Sequence, residues 1–176
     1  GNFTFNNQGF MGWSDSVGVT QTGAGTVTIH NGIDGGYATS VNGVYDYQNA
    51  LIWNSGSTAI STVGNTTLVN HGGGNALGSL INGDVILGTG GTGASSLTNG
   101  SIAFGNATIR GNVTMADLNN TVTNDGTITG NVTMNGTGSN TYNAGSLGSS
   151  GDNGLRLPGS AIDGLGNPTG VVNGTL

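Results

Sequence analysis

A chain of 176 residues with 37 glycines but no lysine and no glutamate is poorly equipped to build amphipathic helices, because those charged residues usually cover exposed helical faces. Its net charge of −6, with only two basic residues, excludes nucleic acid as a partner. No apolar run approaches the ~20 residues of a spanning helix, so we expect no membrane insertion by this segment. Threonine, asparagine, glycine and serine dominate instead, and they predict an all-β chain of short strands and many turns.

The first part of the chain, residues 1–50, is rich in aromatic residues and weak in repeats, and we interpret it as a less regular N-terminal part or a cap. Residues 2–6 alternate polar and aromatic side chains as a strand does, with Phe3 and Phe5 on one face. Such a strand can pair with the edge of a neighbouring molecule. The predicted assembly contacts are Phe3, Phe5, Phe10 and, at the other end, Leu176.

Residues 51–176 carry an internal repeat. The segment Gly-Asn-Val-Thr-Met at residues 111–115 recurs unchanged at residues 130–134, which is 19 residues later. Looser copies begin at residues 82, 99 and 124, each with a turn followed by a short alternating strand. A repeat of about 17–26 residues predicts the coils of a parallel β-solenoid, that is, a right-handed β-helix. The alternative is a β-sandwich, which also uses short strands and frequent turns.

The alternation within each strand predicts which side chains point inward. Val113 and Met115 share one face, and Val27 and Ile29 share another, while the intervening threonines point outward. In residues 127–129 only Ile128 is apolar. Stacked coils would also allow asparagine side chains to bond to one another in ladders along the stack.

Residues 124–133 (Asn-Asp-Gly-Thr-Ile-Thr-Gly-Asn-Val-Thr) and 68–72 (Leu-Val-Asn-His-Gly) resemble the coils of autotransporter passenger domains. Passengers of that family are right-handed parallel β-helices displayed outside Gram-negative bacteria, and many mediate adhesion. The resemblance covers residues 50–142 well and the rest weakly. It implies an extracellular, bacterial-surface location and no set of catalytic residues.

The sequence offers little for catalysis, and we predict no catalytic residue. His30 and His71 are the only general-base candidates near neutral pH, and we interpret them as exposed strand-end or turn histidines. They lie too far apart in the sequence to indicate a metal site. No Gly-x-Ser-x-Gly motif is present, and the eight aspartates are scattered, most of them beside Gly or Asn as turn-forming aspartates are.

No cofactor is predicted, although calcium remains an open alternative and the sequence assigns no metal site. Residues 90–95 come near the calcium-binding pattern Gly-Gly-x-Gly-x-Asp, but Ser95 stands where that pattern has its aspartate ligand.

Threonine pairs at residues 26 and 28, 121 and 123, and 127 and 129 resemble the flat faces of ice-binding proteins. Such a face needs one pair per coil at a constant position. The irregular spacing of these pairs along the sequence argues against it.

Three classes of function remain. The first is a non-enzymatic extracellular scaffold that binds a surface glycan or a host protein. The second is a filament subunit that joins copies of itself end to end by strand addition. The third is a carbohydrate-active β-helix enzyme, whose paired carboxylates would have to meet from different coils.

Overall fold

A computed structural model describes residues 1–12, 18–35, 40–41, 44–45, 50–73, 78–101, 103–104, 106–144 and 170–173. Every regular element in these ranges is a β-strand, so the predicted all-β class is confirmed. Nearly all strands belong to two stacked sheets, which we call sheet A and sheet B.

Sheet A has seven strands. In spatial order they are β1 (Phe3–Asn7), β4 (Thr26–Asn31), β8 (Asn65–Asn70), β10 (Ala94–Asn99), β13 (Asn119–Asn124), β16 (Asn140–Ala144) and β17 (Gly170–Asn173). Each strand pairs in parallel with its neighbours. The order in space follows the order along the chain, so each successive strand is added to the same growing side of the sheet.

Sheet B has eight strands. They are β2 (Phe10–Met11), β3 (Val19–Gln21), β7 (Leu51–Thr62), β9 (Leu80–Leu87), β11 (Thr108–Arg110), β12 (Val113–Met115), β14 (Thr127–Ile128) and β15 (Val132–Met134). The long strand β9 pairs with β7 on one side and with both β11 and β12 on the other. A separate antiparallel pair is formed by β5 (Ser40–Val41) and β6 (Val44–Tyr45).

Every pairing within sheets A and B is parallel. A β-sandwich of the kind considered above is built from antiparallel sheets, so that alternative is wrong. Parallel neighbours need a connection that crosses over, and from β1 to β16 the chain visits sheet B between successive strands of sheet A.

The spacing between stacked positions is wider than the sequence suggested. The exact repeat stacks upon itself, with Val113 opposite Val132 and Met115 opposite Met134. Elsewhere, stacked asparagines are separated by 24, 39, 29 and 25 residues along the chain. The expected 17–26 residues is therefore too narrow, because connections of different length lie between strands of constant register.

The hydrophobic core lies between the two sheets. Val27, Ile29 and Leu68 of sheet A belong to the same buried cluster as Ile81 and Ile109 of sheet B. The predicted inward positions are confirmed. Those residues are Val27, Ile29, Val113, Met115, Ile128, Val132 and Met134, all of them at most 5% exposed.

Strands on both sides of residue 50 belong to the same two sheets, since β1 and β4 continue sheet A and β2 and β3 pair with β7. Several residues of the aromatic-rich part, including Trp13, Tyr37 and Tyr47, lie outside the described residues, as does Leu176.

Candidate functional site

A ladder of asparagine side chains runs through the molecule at the C-terminal ends of the sheet A strands. We call it the asparagine ladder. Its members stack in register and, apart from the half-buried Asn7, they are buried. They are Asn7, Asn31, Asn70, Asn99 and Asn124. Ladders of this kind were predicted from the sequence, and the structure confirms them.

From Asn7 to Asn99, each rung of the asparagine ladder donates one hydrogen bond to the next amide and one to a backbone carbonyl of sheet B. Asn70 Nδ2 donates to Oδ1 of Asn99 at 2.8 Å and to the carbonyl oxygen of Thr108 in sheet B at 3.1 Å. Asn99 Nδ2 repeats this with Oδ1 of Asn124 at 2.8 Å and the Thr127 carbonyl at 3.1 Å. Each of these amides therefore joins one strand of sheet A to the next, and sheet A to sheet B.

A second buried polar network lies at the N-terminal ends of the same strands. The Ser95 hydroxyl donates to the fully buried carboxylate of Asp117 at 2.5 Å, and it accepts the backbone N–H of Thr66 at 2.9 Å. The Thr66 hydroxyl lies 2.6 Å from that of Thr62. The sequence assigned Asp117 no role beyond membership of the scattered aspartates, and its burial is a finding of the structure.

The outward face of sheet A carries a line of hydroxyl side chains, which we call the threonine row. It holds one member per strand, and the register keeps these members directly opposite one another. From β1 to β16 they are Thr4, Thr28, Thr67, Ser96, Thr121 and Thr141. Thr4, Thr67 and Thr121 are exposed and the others are half-buried. The connections take up the irregular spacing for this single row, because Thr28 and Thr121 share it. The objection to a pair on every strand holds, because Thr26 precedes the row by two residues and Thr123 follows it by two.

A second outward row lies two residues further along each strand. It contains Asn6, His30, Val69, Thr98, Thr123 and Asn143. Neither row includes an aspartate, a glutamate, a lysine or an arginine. The pair at residues 127 and 129 does not belong to these rows, because Thr127 lies in sheet B opposite Thr108.

His30 and His71 meet beside the second row, although 41 residues separate them in the sequence. The Asp34 carboxylate accepts a hydrogen bond from His71 Nδ1 at 3.2 Å. A neutral His71 ring then offers Nε2 as an acceptor, and His30 Nδ1 lies 2.9 Å from it. Burial and, to a lesser extent, the neighbouring His71 lower the pKa of His30.

This histidine pair corrects two sequence interpretations. Both rings are half-buried and stacked, with centroids 5.2 Å apart, so they are not exposed turn histidines. Their distance in the sequence also said nothing about their distance in space. Within the described part of the chain, however, no group of three or more histidine, cysteine or acidic side chains is arranged to hold a metal ion.

Residues 90–95 were the candidate calcium segment. The structure places Ser95 in the buried network described above, where Gly93 N–H also donates to the Asp117 carboxylate at 3.3 Å. Asp117 thus supplies a carboxylate near the position where the repeat pattern has its aspartate, but it comes from the next strand connection and its oxygens accept bonds from the protein.

The three predicted assembly residues that the structure describes cluster at one end of the stack, while Leu176 lies outside the described residues. Phe3 and Phe5 lie on the inward face of β1, opposite Val27 and Ile29, with their rings stacked 6.5 Å apart. Phe3 is 38% exposed because β1 has a neighbour on one side only. Phe10, which begins β2, pairs with Leu51 of sheet B.

No protein family, curated protein or solved structure matches the chain. The likeness to autotransporter passengers therefore stays an expectation from the sequence. The described residues include no helix of the length and apolar character needed to cross a membrane.

Proposed function

We propose that the chain is a right-handed parallel β-solenoid that serves as a non-enzymatic, extracellular scaffold on a bacterial surface and binds its partner through an outward face. The observation that carries this proposal is the unbroken parallel register of sheet A with the asparagine ladder behind it. Such a stack is stabilised by contacts between neighbouring coils and presents an extended surface.

The path of the chain supports the solenoid. Between β8 and β10 it passes through β9, and between β10 and β13 it passes through β11 and β12. The chain thus alternates between the sheets while each sheet grows by parallel addition. Right-handed crossover is the strong preference for parallel connections.

The chemistry of the surface supports binding rather than catalysis. The outward face of sheet A presents hydroxyl and amide groups, which suit neutral glycans or protein backbone. Among the residues that the structure describes, the paired titratable groups beside this face are His30, His71 and Asp34. Among the described residues, neither imidazole is hydrogen-bonded to a serine, threonine or tyrosine hydroxyl that could act as a nucleophile.

The test uses the full chain displayed on a bacterial cell. We expect displaying cells to adhere to at least one surface in a panel of solids, glycans and matrix proteins, and we expect the purified chain to release no sugar from a polysaccharide panel. Sugar release that disappears in His30→Ala or His71→Ala would contradict the proposal and favour a carbohydrate-active enzyme. Electron microscopy of the purified chain should show short rods.

A filament subunit is the second candidate, and the uncovered edge of β1 favours it. The edge strand of a sheet has unpaired N–H and C=O groups that accept another strand. Phe3 adds an exposed apolar ring at that edge. Burial of this ring against a neighbouring copy would stabilise end-to-end contact by the hydrophobic effect.

Deletion of residues 1–10 tests this second candidate. We expect the deletion to abolish end-to-end association in sedimentation experiments while circular dichroism remains that of a β protein. A full chain that stays monomeric at high concentration would exclude the filament and leave the adhesive scaffold.

A further inference from the structure

The threonine row is the feature of the outer surface that a general scaffold leaves unexplained. Strands in a sheet lie about 4.8 Å apart, and alternate residues along a strand are separated by about 6.6 Å. The threonine row and the second row therefore form a two-dimensional array with these repeats. The array extends over six strands, since the register from β1 to β16 has no shift.

We propose that the outward face of sheet A binds the surface of ice crystals, with the threonine row as the central line of contact. The inference rests on the proposed scaffold function, because it needs the same stack of strands. It differs in its partner, which is a crystalline solid of neutral, hydrogen-bonding molecules.

Charge is the first argument for this partner. The two rows have no acidic side chain and no lysine or arginine, and their single titratable residue is His30. A charged polymer or an ion would gain little from these two rows, which lack any fixed charge. A neutral surface matches it.

Side-chain chemistry is the second argument. A protein partner would be expected to cover an apolar or aromatic patch, yet the large exposed hydrophobic residues of the described chain, Phe3, Ile33 and Leu118, lie outside both rows. The rows also contain no phenylalanine, tyrosine or tryptophan on which a sugar could stack, and the one imidazole, that of His30, is already stacked on His71. Threonine presents a hydroxyl beside a methyl group, so a threonine array can hydrogen-bond water at regular points and exclude it between them.

Rigidity is the third argument, because a lattice is recognised by a surface that holds its spacing before contact. Threonine has few side-chain rotamers. Behind Thr67 and Thr121, the buried Leu68 and Val122 and the asparagine ladder fix the backbone. The Ser96 hydroxyl lies 3.4 Å from that of Thr67, which links neighbours within the row.

The experiment measures partition of the full chain into a slowly grown ice crystal, together with thermal hysteresis. Thr67→Tyr and Thr121→Tyr place a bulky ring at exposed positions of the threonine row. Thr114→Tyr is the matched control, because Thr114 lies on the outward face of sheet B, between Ile86 and Thr133. Circular dichroism and the urea midpoint show whether each variant is folded.

We expect the unaltered chain and Thr114→Tyr to enter the ice and give thermal hysteresis, and both row variants to lose the two properties while remaining folded. A folded chain that is excluded from ice would overturn the inference but leave the scaffold proposal standing. Ice binding that survives both row variants would overturn it as well. Retention on microcrystalline cellulose or chitin, lost in Thr67→Tyr without any ice binding, would replace ice by a crystalline glycan.

Discussion

Sheets A and B are built from alternating segments of the same chain, yet the register between neighbouring strands is maintained differently in the two sheets. In sheet A the five strands β1, β4, β8, β10 and β13 each contribute an amide to the asparagine ladder, and the pairing from β1 to β17 has no shift. In sheet B the inward rows are aliphatic, and β7 shifts register against β9 between Trp53 and Thr58 and again before Ile60. Directional polar contacts accompany the regular sheet, and non-directional apolar contacts accompany the irregular one.

The physical reason is that the two kinds of interaction differ in how strictly they depend on the position of the partner. Hydrophobic contact depends on buried area and tolerates displacement along a strand. A buried amide loses its hydrogen bonds if its partner moves by one residue, and an unsatisfied buried polar group costs about 1–3 kcal/mol. A slip in sheet A would leave every rung unsatisfied at once, so the asparagine ladder selects a single register.

The largest expected effect comes from replacing a ladder residue by an apolar one of similar size. Asn99→Leu removes the acceptor of Asn70 and the donor to Asn124 and to the Thr127 carbonyl. We expect a loss of about 4 kcal/mol in the free energy of unfolding, measured by urea denaturation. Asn6→Leu, on the exposed face of β1, is the control and should change stability by less than about 0.5 kcal/mol. Equal effects would show that the ladder does not set the register.

A smaller effect is expected at the glycines of sheet B. Gly111 stacks on Gly83, so an added Cβ would lie 2.5 Å from the Gly83 carbonyl carbon and 2.9 Å from Asp84 N. Gly111→Ala must displace the backbone, and we expect it to cost about 2 kcal/mol in thermal or urea unfolding. Gly9→Ala, which would meet no atom within 4 Å, is the control. If Gly111→Ala left the free energy of unfolding unchanged, close backbone stacking would not contribute to the stability of these turns of sheet B.

A substitution by leucine should be far better tolerated in the aliphatic rows of sheet B than in the asparagine ladder. Ile109 is fully buried between Ile81 and Ile128. Because shape changes among aliphatic residues usually cost under about 1.5 kcal/mol, we expect Ile109→Leu to cost about 1 kcal/mol. Comparing its urea midpoint with that of Asn99→Leu sharpens the contrast between the sheets. A cost as large as that of Asn99→Leu would remove it.

The smallest effect concerns pH and the histidine pair beside sheet A. Since the pKa of His30 is lowered in the folded chain, the unfolded chain binds a proton more readily as pH falls below the ordinary histidine value of about 6.5. Stability should therefore decrease as pH falls from 7.5 towards 5, and the decrease should end below the folded pKa. His30→Gln should flatten this dependence of the urea midpoint. If the urea midpoint of His30→Gln changed with pH as steeply as that of the unaltered chain, the pH dependence would come from other groups.

The sequence predicted the elements and their faces because both depend on local alternation. Val113, Met115 and Ile128 are inward as expected, and the exact repeat stacks on itself. What alternation could not predict is which strands become neighbours across connections of unequal length. His30 and His71 are brought together by the pairing of β4 with β8, and no local pattern specifies that pairing.

The threonine row was missed for the same reason, since its members occupy one constant position on each strand of the sheet but are separated by unequal intervals along the chain. A signal was nevertheless present. Asn31, Asn70, Asn99 and Asn124 each stand three residues after a threonine or serine and two after an aliphatic residue. Aligning the strands on these asparagines, rather than on a fixed period, would have placed Thr28, Thr67, Ser96 and Thr121 in one line.

The asparagine ladder also has a direction. Every Nδ2 points towards the C-terminal end, from Asn7 to Asn31 and onward, until Asn124 donates to the Tyr142 hydroxyl, with Ala144 at the next ladder position. Amide dipoles aligned head to tail polarise one another and add along the stack. The molecule therefore has a dipole along the stack. The side-chain carbonyl oxygen of Asn7 lies at one end of the ladder, and the hydroxyl of Tyr142 lies at the other. Two molecules placed end to end attract each other when their dipoles point the same way, and repel each other when the dipoles point in opposite directions. The asparagine ladder therefore favours head-to-tail over head-to-head contact between copies.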